Sequence, residues 1–263
     1  MELGKKTYIM GILNVTPDFF SDGGKYLDPC VALNRALEMR DQGADIIDVG
    51  AQSTRPGFSP VTPEEEWNRI EPVLDLICGR MGIPVSVDTF YPQVAEKSLQ
   101  KGADIINDVT GFCDEKMIGV AKQWDCGCIV MHNGNEKGKS EDAVTRVRSF
   151  FDERLRFMTE KGIPPERMCF DPGIGFGKEH EENLRLIRCV AEIKIPGLAF
   201  LMAASRKRVI GIPCGNPPFS DRLPGTIAAH TIAIVGGADI LRVHDVKEAV
   251  QSARVADAIL GKG

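Results

Sequence analysis

A chain of 263 residues matches the size of one (β/α)8 barrel, which takes roughly 250 residues, and is too long for a disulfide-stapled miniature. Hydrophobic residues at 43% and 27 glycines allow a large buried core and exclude a disordered chain. With 32 Lys and Arg against 37 Asp and Glu, the net charge of −5 excludes a protein held to nucleic acid by bulk charge, so any bound anion must be gripped locally.

The first apolar run, residues 8–15, follows Lys5 and Lys6 but ends in Thr16-Pro17-Asp18 without the small-residue cleavage site of a secretory signal. It is predicted to be a strand. A phrase then recurs three times: Gly43-Ala44-Asp45-Ile46-Ile47-Asp48-Val49, Gly102-Ala103-Asp104-Ile105-Ile106-Asn107-Asp108 and Gly237-Ala238-Asp239-Ile240-Leu241-Arg242-Val243. In each, Gly closes a helix, Asp turns the chain and an apolar strand begins. Further apolar runs at 83–88, 126–131, 168–171 and 197–204 bring the predicted strands to eight. Amphipathic segments lie between them, among them Pro63 to Gly79, Ser140 to Lys161 and Lys247 to Leu260.

Near-continuous apolar strands alternating with helices imply a parallel sheet covered on its outer face. An open doubly wound sheet would carry a Gly-rich turn after the first strand, where this chain has Asn14-Val15-Thr16-Pro17-Asp18. The expected fold is therefore α/β, a (β/α)8 TIM barrel in a single domain over residues 1–263. The longest apolar tract, Ile227 to Ile240, is broken by His230 and Asp239 and falls short of the ~20 residues a membrane span needs. A cytoplasmic protein with neither a membrane nor a nucleic-acid partner is expected. The eight cysteines, which include Cys126-x-Cys128, contain no C-x-x-C pair, so most are expected to be buried, reduced thiols.

The predicted strands end, in order, at Asn14, Asp48, Asp88, Asn107, His132, Asp171, Ser205 with Arg206 and Lys207, and Arg242 with His244. Single Asp and Asn residues at such places often cap the next helix, but Lys207, Arg242 and His244 are not N-caps. Barrel strand ends converge on one mouth, where active sites are built. Segments 16–27 and 52–62, carrying Phe19, Phe20 and Arg55, are expected to be mobile loops over that mouth. Two carboxylates, Asp88 and Asp171, with the carboxamide of Asn107 suit a flat heterocycle with ring N–H and amine donors. Arg55, Arg242 and His244 supply cationic donors for phosphate or diphosphate, and the Asn14 carbonyl can ligate Mg²⁺.

Several segments carry a specific resemblance: Gly11-Ile12-Leu13-Asn14-Val15-Thr16-Pro17-Asp18 with Phe20-Ser21-Asp22-Gly23-Gly24, Asp48-Val49-Gly50 with Ser53-Thr54-Arg55-Pro56, Ser86-Val87-Asp88-Thr89, Ile106-Asn107-Asp108-Val109, Asp171-Pro172-Gly173-Ile174-Gly175-Phe176-Gly177-Lys178, Ser205-Arg206-Lys207 and Arg242-Val243-His244-Asp245-Val246. Spread over residues 9–246, they resemble the dihydropteroate synthases of folate biosynthesis. The resemblance implies a transferase joining 6-hydroxymethyl-7,8-dihydropterin diphosphate to 4-aminobenzoate, with release of diphosphate. It implies pterin-binding roles for Asp88, Asn107, Asp171 and Lys207. Asn14, Thr54, Arg55, Arg242 and His244 would hold diphosphate, Asn14 through Mg²⁺ as cofactor. Phe20, Thr54, Arg55, Pro56, Ser205, Lys207 and Arg208 would shape the aminobenzoate site. Asp88, Lys207, Arg242 and His244 carry the expected catalytic roles, and a homodimer is implied, with the apolar stretch 226–236 as its face.

The chain departs from the family pattern at Phe19, where Ser is usual, at Asn133-Gly134-Asn135, and at Ala203-Ala204. Two alternatives share a pterin-binding barrel: a corrinoid-dependent methyltransferase acting on methyltetrahydrofolate, and a non-catalytic pterin-binding module. Trp67 and Trp124 are read as packing residues, His180 as a solvated residue at a helix start, His230 as a satisfied core or interface histidine, and Asp48 as a residue that either orients its neighbours or touches substrate.

Overall fold

The computed structural model describes residues 1–16, 28–52, 61–134 and 142–262. Strands and helices alternate as β1 (Tyr8–Asn14), α1 (Pro29–Asp41), β2 (Ile46–Gly50), α2 (Pro63–Ile77), β3 (Val85–Asp88), α3 (Pro92–Gln100), β4 (Ile105–Asp108), α4 (Glu115–Trp124) and β5 (Gly127–Met131). There follow α5 (Ala143–Glu160), β6 (Met168–Asp171), α6 (His180–Arg188), α7 (Val190–Ile193), β7 (Ala199–Met202), α8 (Arg208–Gly211), α9 (Leu223–Val235), β8 (Ile240–Val243) and α10 (Val246–Ile259). All eight strands are parallel, and β8 returns to β1 with Tyr8 opposite Ile240 and Gly11 opposite Val243. The sheet closes as a barrel, as its strand count implied, and the open-sheet alternative is excluded.

Strand periodicity decides what faces the barrel axis, because successive side chains point to opposite faces. In β1, Ile9 and Leu13 pack under the helices while Met10 points inward. The interior floor is a small apolar layer of Met10, Ile46, Ile129, Cys169, Leu201, Ala203 and Ile240. Two residues beyond these inward positions stand Asp48, Asp171 and Arg242, and four beyond Met10 stands Asn14, so one parity carries the polar strand ends to one mouth. Asp108 has the opposite parity. Its carboxylate accepts from the Thr110 N–H and hydroxyl, both at 2.7 Å, and from the Phe112 N–H at 2.9 Å, building the turn after β4.

The threefold phrase closes the opposite end. Gly43, Gly102 and Gly237 adopt φ of 102°, 95° and 102°, a region that glycine enters without steric penalty. The Asp that follows does more than turn the chain. Asp45 accepts from the Ile9 N–H, Asp104 from the Val85 N–H and Asp239 from the Phe200 N–H, each at 2.9 Å. Its own N–H returns to the carbonyl of that same residue. Each phrase thereby clamps the start of the strand before it and sets the register of β1 with β2, β3 with β4, and β7 with β8.

All eight cysteines are unpaired. Cys126, Cys128, Cys169 and Cys189 are buried, Cys78 is half-buried, and Cys30, Cys113 and Cys214 are exposed. Half of them are buried, so the expectation that most would be is met only in part. No helix among the described residues is long and apolar enough to cross a membrane.

Candidate active site

The mouth at the strand carboxyl ends opens on a cavity of about 870 Å³, lined among others by Asn14, Asp88, Asn107, Asp171, Ser205, Lys207, Arg208, Arg242 and His244. The structure brings these expected residues together. Phe20, Thr54, Arg55 and Pro56 lie outside the described residues, as do most of the two expected covering loops. His132 is buried with its ring edge-on to Phe150, and it contributes a backbone carbonyl to its surroundings.

At the base of the cavity Arg242 reaches across the barrel. Its Nε donates to Asp48 Oδ2 at 2.6 Å and its Nη2 to Asp88 Oδ2 at 2.8 Å. Asn107 Nδ2 donates to the same Asp48 oxygen at 3.2 Å, leaving its carbonyl to accept from a ligand. Asp48, completely buried, therefore orients Arg242 and Asn107. Burial pushes the Asp88 carboxyl up to about 7 against the opposing pull of Arg242, with Asp48 adding to the rise. The Asp48 and Asp88 charges in turn push the Arg242 guanidinium well above its ordinary value despite burial. Asp88 Oδ1 is buried with no hydrogen-bond partner among the described residues, an acceptor open to a donor.

A second wall is built by the turn after β6. Asp171 Oδ1 accepts the Gly173 N–H at 2.7 Å, and burial raises this acid while nearby Lys207 and the Gly173 N–H oppose the rise. Lys207 donates to the Ile174 carbonyl at 2.7 Å and lies 4.9 Å from the Phe176 ring centroid. Lys178 holds this turn closed through three carbonyls, His132 at 3.0 Å, Gly173 at 3.1 Å and Phe176 at 3.0 Å. Nothing in the sequence pattern marked Lys178 for that task beyond its place in the motif.

The third wall comes from the turn after β7. Ser205 Oγ lies 3.0 Å from His244 Nδ1 and accepts the His244 N–H at 3.2 Å. Arg206 pairs with Asp245 through Nε at 2.8 Å and Nη2 at 2.5 Å and stacks near Phe219, which also meets His244 edge-on. Arg208 is exposed at the rim. Behind Asp88, the buried Glu66 accepts the Thr89 hydroxyl at 3.0 Å, and burial pushes its carboxyl up to about 8. Sequence reading passed over Glu66 because a glutamate in the first turn of α2 is ordinarily a solvated helix-start residue. His180 reverses an expectation: it is half-buried and lines the cavity, because α6 begins directly over the mouth.

The donor set bears on Mg²⁺. Asn14 Oδ1 and the Asp88 carboxylate both lie against Gly50, within 3.6 Å and 3.8 Å of where its Cβ would stand, so the Asn14 carbonyl faces the mouth beside an acid. Among the described residues no cluster of three or more His, Cys, Asp or Glu could cage a metal alone. One carboxamide oxygen beside an open mouth suits an ion that keeps several waters and takes substrate phosphate oxygens. The residues fit.

The chain matches the model of the pterin binding enzyme family over residues 10–244. It is 43% identical to the dihydropteroate synthase of Clostridium beijerinckii, covering 98% of this chain and 96% of that one. The chain belongs to the dihydropteroate synthase family. A Bacillus subtilis dihydropteroate synthase is likewise 43% identical over 98% of this chain and 90% of its own. The fold agrees with solved members. Burkholderia cenocepacia dihydropteroate synthase complexed with 7,8-dihydropteroate gives a TM-score of 0.89 at 34% identity, covering 98% of this chain and 92% of that one. The Xanthomonas albilineans enzyme with 4-aminobenzoic acid gives 0.91 at 36%, covering 97% and 93%. The family decides for the synthase over the methyltransferase and the non-catalytic module.

Proposed function

We propose that the chain is a dihydropteroate synthase, a transferase that condenses 6-hydroxymethyl-7,8-dihydropterin diphosphate with 4-aminobenzoate and releases diphosphate. The observation that carries this reading is the meeting of Asp88, Asn107, Asp171 and Lys207 with Asn14, Arg242 and His244 around one cavity. The first four suit the pterin edge. Asp88 offers an oxygen without a partner among the described residues, Asp171 keeps one oxygen beyond its Gly173 bond, and Asn107 keeps its carbonyl. Arg242 and His244 receive the diphosphate, whose charge grows as its C–O bond breaks; donors fixed before the reaction stabilise that growth. A Mg²⁺ ion shared by Asn14 and the diphosphate would neutralise part of the same charge.

Positive charge left on the pterin methylene faces Asp88. The arylamine nitrogen forms the new C–N bond as the C–O bond breaks, and then loses a proton. No covalent protein nucleophile is needed, so the cysteines have no part in the reaction. Ser205, Lys207 and Arg208 would meet the arylamine; Phe20, Thr54, Arg55 and Pro56, outside the described residues, are the further aminobenzoate contacts that the family resemblance implies.

The reading includes a homodimer in a reducing cytoplasm. Ile232 and Val235 on α9 and Val255 and Ile259 on the adjacent α10 are exposed apolar residues that a second copy would cover. Exposed free thiols at Cys30, Cys113 and Cys214 persist in such a compartment. The deciding experiment mixes the protein with pterin diphosphate, Mg²⁺ and labelled 4-aminobenzoate. Coupled product with an equal amount of diphosphate is expected, and pterin binding without coupling would overturn the reading.

A further inference from the structure

The turn of residues 204–207 sends three consecutive side chains to three different places: Ser205 to His244, Arg206 to Asp245, and Lys207 to the Ile174 carbonyl. It does so with Arg206 at φ 55°, a left-handed backbone that an L side chain adopts only when its surroundings hold it there. Within the turn the Lys207 N–H donates to the Ala204 carbonyl at 3.2 Å. Further support comes from the start of α9, behind the site. Thr226 Oγ1 accepts the Arg206 N–H at 2.9 Å, and Arg222 Nη1 donates to the Arg206 carbonyl at 3.2 Å. His230, one helical turn beyond Thr226 and 1% exposed, accepts the Ala204 N–H on Nε2 at 3.3 Å.

We propose that His230 is a positioning residue for the arylamine half of the site, its Nε2 fixing Ala204 and, with Thr226 fixing Arg206, setting the aim of Ser205 and Lys207. Ala204 is fully buried, so without the imidazole its N–H has no water to turn to. Accepting on Nε2 requires an unprotonated nitrogen there, hence a neutral ring with its proton on Nδ1. Burial pushes this histidine down to about 4, and the positive charge of Lys207 acts in the same direction, so the acceptor persists at neutral pH. His230 touches neither substrate. It acts through the backbone of the turn, and α9 thereby couples its buried face to the cavity.

The inference rests on the synthase reading, and its test separates the two. Wild type, His230→Leu and His230→Gln are compared for KM and kcat with each substrate, and for Tm. Leucine fills the space without an acceptor, whereas glutamine places a carbonyl oxygen near the position of Nε2. In His230→Leu the KM for 4-aminobenzoate is expected to rise about fivefold or more, as for one lost buried hydrogen bond, and the KM for pterin diphosphate by less, since Ser205 and Lys207 both face the arylamine but only Lys207 also meets the pterin. His230→Gln is expected to recover most of the loss. Equal changes in both KM values, or none, would overturn the proposal even in a fully active protein. A wild type that never couples the substrates would overturn the synthase reading and this inference with it. Should His230→Leu fail to fold, Thr226→Val removes the companion acceptor at nearly constant volume and must shift the KM for 4-aminobenzoate more than that for pterin diphosphate. If it shifts neither, or also fails to fold, the role is structural and the proposal falls.

Discussion

The Arg242 guanidinium donates to Asp88 Oδ2 at 2.8 Å, so the cation expected to receive the diphosphate and the acid expected to receive the pterin form one ion pair. The two halves of the site are electrically a single unit. A pterin donor that takes up Asp88 alters the charge balance around Arg242, where the diphosphate would lie.

This pairing gives Arg242→Ala two consequences. It leaves Asp48 and Asp88 facing each other buried and uncompensated, which is expected to cost about 3–5 kcal/mol of stability. Turnover falls as well, through loss of charge stabilisation at the departing diphosphate. Urea unfolding at pH 7 checks the first effect; an unchanged midpoint would show that the ion pair holds nothing together. Adding Asp48→Asn is expected to recover part of the stability by removing one of the stranded charges.

The raised value of Asp88, about 7 in the free protein, predicts a pH limb. Only the ionised carboxyl accepts two adjacent donors from a pterin edge. For pterin diphosphate, kcat/KM is therefore expected to climb as pH rises through about 7, and Asp88→Asn should abolish that limb. A flat profile from pH 6 to about 8 in the wild type, measured where the substrate's own ionisation is constant, would contradict it.

Asp171→Asn keeps the shape of the pterin wall and removes its charged acceptor. Binding of the pterin substrate is expected to weaken by about 1–3 kcal/mol, with little change in Tm. Isothermal titration with a non-reacting pterin measures this directly, and unaltered affinity would remove Asp171 from the pterin site.

Glu66 predicts an effect on stability instead of binding. Its carboxyl is raised from 4.5 to about 8 by burial, so the folded state holds its proton more tightly than the unfolded chain does. The resulting stabilisation is complete below about pH 4.5 and is lost as pH rises through about 8. Glu66→Gln keeps an acceptor for the Thr89 hydroxyl and cannot ionise. Its Tm, relative to wild type, is expected to rise steadily between pH 5 and about 8.5, and parallel curves would show that Glu66 titrates normally.

Gly173→Ala tests the wall that carries Asp171. A Cβ there would stand 2.0 Å from the His132 carbonyl oxygen, on a backbone at φ 66°. The ends of β5 and β6 must separate to admit it, withdrawing the N–H that Asp171 accepts. Loss of most activity together with a clear fall in Tm is expected, and calorimetry with a turnover assay checks both.

Much of the architecture is a local matter and was legible accordingly. Apolar runs separated by amphipathic segments give eight strands and their order, since backbone periodicity depends on residues a few positions apart. Polar groups at strand ends mark the mouth because a parallel barrel carries every strand end of one sense to the same face. Even so, the three Asp residues of the repeated phrase looked like turn formers, and their clamp on the preceding strand needed that strand beside them. His180 looked solvated because its neighbours Lys178, Glu179 and Glu181 are charged, and only the placement of α6 over the cavity turned it inward.

The amino-acid order on its own determined the barrel, the mouth and the identities of the groups gathered there, through periodicity and motif. Tertiary structure alone decided who holds whom. Arg242 meets Asp48 across 194 positions of chain, and Ala204 meets His230 across 26, and no local pattern encodes either distance. Closure of the sheet removes such groups from water and leaves each facing whatever lies opposite, and that desolvation makes an ordinary aspartate, glutamate or histidine into a group with a shifted charge and a specific partner.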